Sequence, residues 1–195
     1  MTNKENPFEH FDKWFKEAKN HKDVVEPEAM NIATATKEGI PTNRMVLLKD
    51  YDEKGFVFYT NLESRKGEQL KENPKASLCF YWEAMGRQVR IEGDVVPVSN
   101  EEADAYFNSR ALKSRIGAWA SMQSRPLGSR SELIKKVAEY GAKTVKGKVE
   151  RPPFWSGFRV IPNRMEFWQK GEYRIHDRTC YILKNGQWES GLLYP

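Results

Sequence analysis

A mainly β fold with inserted helices, an α+β arrangement, is what this sequence predicts, and three observations carry the prediction. Short runs that alternate apolar and polar residues recur along most of the chain, as half-buried strands require. Turn residues join several of these runs at hairpin distance: Lys37-Glu38-Gly39, Asp52-Glu53-Lys54-Gly55, Glu83-Ala84-Met85-Gly86, Lys170-Gly171-Glu172 and Asn185-Gly186. Between them lie capped segments with helical rather than alternating periodicity. The tally is about eight strands and four or five helices, which favours a β-barrel decorated with helices.

The first element is an amphipathic helix. Asn6 is placed to cap it and Pro7 to fill its first turn, after which Phe8, Phe11, Trp14, Phe15 and Ala18 fall on one face. Residues 1–22 therefore read as a docking-helix region and 23–195 as a barrel with inserted helices, together one domain. Residues 30–36 and 43–49 form a hairpin; in its second strand Arg44, Val46 and Leu48 share one face and Met45, Leu47 and Lys49 the other. Residues 56–60 follow as a strand, and Ser64 caps a helix that runs to Asn73-Pro74. A helix start that also bears Arg65 and Lys66 offers free N–H groups, a favourable dipole and two cations, a set suited to phosphate; two solvated surface cations is the competing reading.

Residues 76–82 and 87–98 read as a long hairpin. Asn100 is placed to cap a helix over 101–110, in which Tyr106 and Arg110 face the same way, with Ser114 one turn further on if the helix continues. Such a row can hold a phosphate through two hydroxyls and a guanidinium, and it reads equally as a wet helix face. Gln123-Ser124 is loop, and Ser129 caps a charged amphipathic helix to about Ala142. The stretch 146–157, with Pro152-Pro153, reads as a surface loop. Residues 158–161, 164–169 and 173–183 read as strands, and Asn185-Gly186 turns the chain into a last strand running to Pro195. In the 173–183 strand Arg174, His176 and Arg178 would share a face, where either an anionic partner or solvent could meet them.

Composition narrows the function classes. No run approaches the ~18 apolar residues of a membrane span, and the N-terminus lacks the apolar core of a secretory signal, so a cytoplasmic protein without a membrane partner is expected. A net charge of +5 invites a nucleic-acid reading, but Lys and Arg are interleaved with Asp and Glu, and no nucleic-acid motif occurs. Mild basicity fits a small phosphorylated ligand as well. His10, His21 and His176 are the only histidines and none neighbours Cys79 or Cys180, so no metal site is expected and both thiols read as reduced and structural.

The ordered motifs Arg44-Met45-Val46-Leu47-Leu48-Lys49, Phe58-Tyr59-Thr60-Asn61, Ser64-Arg65-Lys66-Gly67, Arg87-Gln88-Val89, Tyr106-Phe107 with Ser109-Arg110, Ile116-Gly117-Ala118-Trp119, Gln123-Ser124, Glu166-Phe167-Trp168 and Arg174-Ile175-His176-Asp177-Arg178 then resemble one family over nearly the whole chain. It is that of the pyridoxine/pyridoxamine 5′-phosphate oxidases, flavin enzymes of vitamin B6 metabolism. The resemblance implies a split β-barrel homodimer with FMN in two clefts at the subunit interface. It assigns the FMN phosphate to Arg44, Arg65 and Lys66 with Tyr59 and Thr60, and puts Met45, Val46, Leu47, Lys49 and Ser64 along the same cofactor. The rest of the flavin falls to Gln88, Gln123, Ser124, Trp168 and Arg178. The substrate, a small phosphorylated pyridine, has its phosphate assigned to Lys49, Tyr106, Arg110 and Ser114, with Arg174 and His176 over its ring as the catalytic pair. The implied reaction turns pyridoxine or pyridoxamine 5′-phosphate into pyridoxal 5′-phosphate with O2 as acceptor, giving peroxide, and ammonia from the amine.

Two departures from the family pattern bear on substrate enclosure. The N-terminal segment with an arginine and a tyrosine that covers substrate in the family is expected to be absent here, and the family's terminal Arg-Leu-Ala-Pro is replaced by Leu192-Leu193-Tyr194-Pro195. Two rivals follow: a related FMN oxidase of phenazine-pathway type, and a non-catalytic module binding flavin or nucleic acid. The row Lys49, Tyr106, Arg110 and Ser114 argues against the first, since an unphosphorylated substrate has little use for it.

Overall fold

The computed structural model describes residues 6–144 and 148–195. Helix α1 (Pro7–Asn20) starts as its sequence dictates, with the Asn6 side chain accepting from the Phe8 N–H. Strands β1 (Ala29–Ala35) and β2 (Pro41–Leu47) form the first hairpin. A short β3 (Asp50–Asp52), absent from the sequence reading, pairs with β4 (Gly55–Asn61). Helix α2 (Arg65–Glu72) is capped by Ser64, and β5 (Lys75–Trp82) and β6 (Arg87–Pro97) make the long hairpin. After α3 (Asn100–Ser109), α4 (Leu112–Ala120) and α5 (Arg130–Lys143) the chain returns as β7 (Trp155–Gln169), β8 (Asp177–Lys184) and β9 (Gln187–Leu192).

These strands build one sheet in the order β2-β1-β5-β6-β7-β4-β3, with β8 and β9 continuing from β7. The 15-residue β7 makes this possible: its first half pairs with β4, its second half with β8, and β6 runs along both. The sheet therefore divides at β7 and curls into a split β-barrel. The apolar face of helix α1 packs into its core. Phe11 is fully buried, and its ring packs against Phe15, Tyr51, Phe56 and Phe80, with centroids 4.9 to 5.4 Å away. Burying a side chain of that size contributes about 1.5–3 kcal/mol, so the aromatic stripe read from the sequence is what fastens α1 to the barrel.

Several expectations need correction. Residues 158–161 and 164–169 belong to one strand because the irregularity between them is a bulge: Glu92 opposes Arg164 and Gly93 opposes Pro162, leaving Asn163 over. Beside a bulge the ladder tolerates the hydrogen bond that proline, having no N–H, cannot donate. Residues 155–157, read as loop, are the start of β7; residues 146 and 147 of that predicted loop lie outside the described residues. The cap of α3 is Ser99, not Asn100, in a reciprocal capping box with Glu102. That helix stops at Ser109 and α4 begins at Leu112, so Ser114 is not on the helix of Tyr106.

The largest correction concerns 173–176. Tyr173 and Arg174 have left-handed backbone, φ 53° and 66°, inside a tight turn whose Ile175 N–H donates to the Glu172 carbonyl at 2.9 Å. The turn closes onto Gly171, where an added Cβ would lie 1.8 Å from the Ile175 oxygen. The strand begins only at Asp177, so Arg174, His176 and Arg178 do not share a strand face.

Candidate functional site

A cavity of about 640 Å³ opens where β2, β4 and the start of α2 meet the α3–α4 corner. Met45, Val46, Leu47 and Lys49 line it on the β2 side, Tyr59, Thr60 and Lys66 beneath, and Tyr106, Arg110, Ser114 and Gln123 opposite. The broken helix accounts for the last set. Arg110 turns the chain from α3 into α4, so Tyr106 and Ser114 reach one cavity from two helices rather than along one face.

Lys66 is only 8 % exposed. Its Nζ donates to Thr60 Oγ1 at 3.0 Å, Gln123 Oε1 at 3.0 Å and Ser64 Oγ at 3.4 Å, and none of these carries charge. Burial, reinforced by Arg44 nearby, pulls its pKa down to about 8. Arg44 is likewise lowered by burial and by repulsion from Arg65. Among the described residues none of the three forms an ion pair with a carboxylate. Three cations held together without an anion form a costly arrangement that a phosphate would relieve. Their placement is set by the backbone: a Cβ on Gly67 would come within 2.4 Å of the Leu62 oxygen, so the capped helix start sits hard against the end of β4.

Across the cavity lies a second cation of the same kind. Tyr59, Tyr106 and Trp155 stack, with Tyr59 4.0 Å from Tyr106 and 5.3 Å from Trp155 between centroids, and the Arg110 guanidinium lies 4.8 Å over the Trp155 ring. Arg110 Nη1 is buried with no hydrogen-bond partner among the described residues, and burial lowers the guanidinium's pKa. An unsatisfied buried donor on a cation is unusual enough to mark a place where a ligand oxygen fits. Burial also raises Tyr59 to about 12, so its hydroxyl stays a neutral donor.

The remaining predicted residues do not line this cavity. Arg44 is turned onto the Thr34 and Thr42 hydroxyls, Ser64 is the cap of α2, Arg65 is exposed on its first turn, and Ser124 stands beside Gln123 with φ 70°. Gln88, Trp168 and Arg178 form one row across β6, β7 and β8, and the His176 ring lies 4.8 Å from Trp168. The Gly171 N–H donates to His176 Nδ1 at 3.2 Å, which leaves Nε2 to carry the proton of the neutral ring. Arg174 is exposed beside Tyr173 and Ile175, themselves 90 % and 70 % exposed. One chain thus presents two separate groups of predicted residues. The sequence reading passed over Trp155, hidden in an assumed loop, and the supports Thr34, Thr42 and Gln69 behind Arg44, which carry no motif.

Comparison with known proteins points the same way throughout the chain. The family model described as pyridoxamine 5′-phosphate oxidase matches residues 17–143, and that of the pyridoxine 5′-phosphate oxidase C-terminal dimerisation region matches 155–195, which indicates a homodimer. Proteins named pyridoxine/pyridoxamine 5′-phosphate oxidase are similar over nearly their full length. That from Myxococcus xanthus is 52 % identical, covering 97 % of this chain and 91 % of its own. Those from Zymomonas mobilis and Rhodospirillum rubrum are 51 % and 53 % identical, covering 98 % and 97 % of this chain and 99 % and 96 % of theirs. Among solved structures, PhzG from Burkholderia lata in complex with tetrahydrophenazine-1-carboxylic acid superposes with a TM-score of 0.92 at 34 % identity, covering 97 % of this chain and 93 % of that one. An FMN-binding, pyridoxamine 5′-phosphate oxidase-related protein from Nostoc punctiforme, 18 % identical with a TM-score of 0.77 over 98 % of this chain and 99 % of that one, shares the fold. On this evidence the chain belongs to the pyridoxamine 5′-phosphate oxidase family, and the oxidoreductase class and FMN as cofactor come with that membership.

Proposed function

We propose that this chain oxidises pyridoxine 5′-phosphate and pyridoxamine 5′-phosphate to pyridoxal 5′-phosphate, with FMN as its cofactor and O2 as the final acceptor. One observation carries the reading: a single cavity holds two uncompensated cationic sites, Lys66 with its neighbours and Arg110, separated by stacked aromatic rings. Two phosphates in one site, one on the cofactor and one on the substrate, match that arrangement. FMN supplies a hydride acceptor that oxygen can regenerate. Arg44, Arg65 and Lys66 take the cofactor phosphate, with Tyr59, Thr60 and the Ser64 helix start, along the Met45 to Leu47 edge. Lys49, Tyr106, Arg110 and Ser114 take the substrate phosphate, and the hydroxyls and guanidinium fix its distance from the reacting carbon.

The second cluster completes the site from a second copy. Gln88, Trp168 and Arg178, with Arg174 and His176 beyond them, lie on β6 to β8 and the turn before β8, away from the cavity of their own chain. In a homodimer with FMN at the interface they meet the flavin ring and the substrate ring of the other half-site, joined by Gln123 and Ser124. Arg174 and His176 act there as the orienting, catalytic pair.

The relation to PhzG favours a second reading, oxidation of a reduced phenazine precursor. Oxygen uptake by the FMN-loaded protein decides between them. Turnover of the two phosphorylated pyridines, with little on their unphosphorylated forms or on a tetrahydrophenazine carboxylate, is the expected result. Equal rates with and without the phosphate would overturn the assignment of Arg110.

A further inference from the structure

Behind Arg44 lies a closed ring of hydrogen bonds. Arg44 Nη1 donates to Thr34 Oγ1 at 2.6 Å and Nη2 to Thr42 Oγ1 at 2.5 Å. Both hydroxyls in turn donate to one atom, Gln69 Oε1, at 2.6 Å and 2.7 Å. A guanidinium can only donate, so each threonine accepts from it and is left one proton to pass onward. Thr42 Oγ1 also lies 3.5 Å from the Thr34 carbonyl and from Thr34 Oγ1, but Gln69 Oε1 is the nearer acceptor for both hydroxyls. Gln69 is 4 % exposed and Thr34 3 %, and Gln69 Nε2 is buried without a hydrogen-bond partner among the described residues, so the amide is held against its own unsatisfied donor. That cost has to be offset by what the ring does.

We infer that Gln69 is the positioning residue for Arg44: through Thr34 and Thr42 it fixes both guanidinium arms, and as a neutral acceptor it does so without discharging the cation. A carboxylate at the same place would satisfy the geometry equally well and compete with an incoming phosphate for Arg44. The surrounding charges agree with this division, since Arg44 is crowded by Arg65 and Lys66 and kept by oxygens that carry no charge. The two bonds also leave N–H groups of Arg44 over for a ligand. This rests on the reading of Arg44 as a cofactor-phosphate contact; Gln69 itself is buried and does not line the cavity.

Apo-protein titrated with FMN and with riboflavin, which lacks the phosphate, tests both levels. For the unaltered chain FMN must bind tighter than riboflavin; equal affinity would overturn the phosphate site and the inference with it. With that preference in place, Gln69→Met should lower FMN affinity about ten-fold and leave riboflavin within about two-fold. Gln69→Glu, which keeps both acceptor contacts, should lose at least as much FMN affinity because it neutralises Arg44. Thr42→Val, at a half-buried position on the edge strand β2, removes one arm of the ring and should give a smaller loss of the same kind, whether or not the Gln69 variants fold. Loss of both flavins in parallel with a fall in Tm would make Gln69 a packing residue and sink the proposal, as would FMN binding left unchanged by Gln69→Glu.

Discussion

On β6, β7 and β8 three arginines, Arg90, Arg164 and Arg178, converge on one carboxylate, Glu166, which is 2 % exposed. In the cavity and beside it, Lys66, Arg110, Arg44 and Arg65 form no ion pair with a carboxylate among the described residues. The two regions bury similar groups and treat them in opposite ways. At Glu166 burial alone would raise the carboxyl's pKa, yet hydrogen bonds from Arg90 and Arg178 more than reverse this and hold it below the usual carboxylate range. At Lys66 nothing reverses the effect of burial, and the amine falls to about 8. A buried cation left unanswered inside the chain is kept for a ligand, whereas one answered by an acid also serves the fold. Arg178 joins the regions: it donates to Glu166 and, through Nη1, to the Tyr194 carbonyl at 2.8 Å, so the row proposed to meet the flavin is tied to the C-terminal segment.

The largest effect expected is therefore structural. Glu166→Ala leaves Arg90, Arg164 and Arg178 facing one another and should cost about 3–5 kcal/mol, against the 5–15 kcal/mol typical of a whole domain. Urea unfolding of the apo-protein measures it; a midpoint close to that of the unaltered chain would mean that the cluster is solvated and that the contrast with the cavity is false. Lys66→Met should do the reverse. Removing a buried, unanswered cation should leave apo-protein stability equal or higher while FMN affinity drops about a hundred-fold, the worth of a charge-assisted contact or two. If stability and affinity fell together, Lys66 would belong with Glu166. Arg110→Met sharpens the same distinction on the substrate side: KM for phosphorylated substrate should rise about ten-fold at unchanged FMN content, with unphosphorylated substrate unaffected.

How far this contrast is legible in the sequence depends on the range of the signal. Local chemistry reads well: the Asn6-Pro7 start, the Ser64 cap, the Asn185-Gly186 turn and the buried stripe of α1 each follow from neighbouring residues. The Arg65-Lys66 helix start was visible for the same reason. What depends on distant backbone was not. The bulge that lets β7 run through Pro162 is enforced by contacts with β6. The turn that takes Arg174 out of the strand is local, closing Gly171 onto Ile175, but it needs left-handed backbone at Tyr173 and Arg174, which those residue types do not signal. Tyr106, Arg110 and Ser114 form a row only on a helix that does not continue, and they share a cavity because the chain turns at Arg110. Pairing partners are hardest of all: nothing local to Arg44 or Arg178 says that one lacks an acid and the other has Glu166.

The smallest effect expected is a pH dependence confined to the cavity. Lys66 has a folded-state pKa depressed to about 8, against 10.5 for a free lysine. Between those values the unfolded chain holds the proton and the folded apo-protein does not, so stability of the apo-protein rises with pH across that window, and below about pH 8 the cost of the buried charge is fully present. Cofactor binding has the opposite slope. The phosphate of FMN, with a second pKa near ~6, is already a dianion at neutral pH, so the titrating partner above pH 7 is Lys66, which must be protonated to meet it. FMN affinity should then hold level up to about pH 8 and weaken above it, by no more than about ten-fold per pH unit, with proton uptake rising from near zero below that pH toward one per flavin bound above it. Calorimetric titrations in buffers of different ionisation enthalpy give that proton count directly. Lys66→Met should bind weakly at every pH with no proton uptake, whereas Glu166→Gln, on the answered side of the molecule, should keep the slope; a level affinity from pH 7 to 9 in the unaltered chain would place the cofactor phosphate away from Lys66.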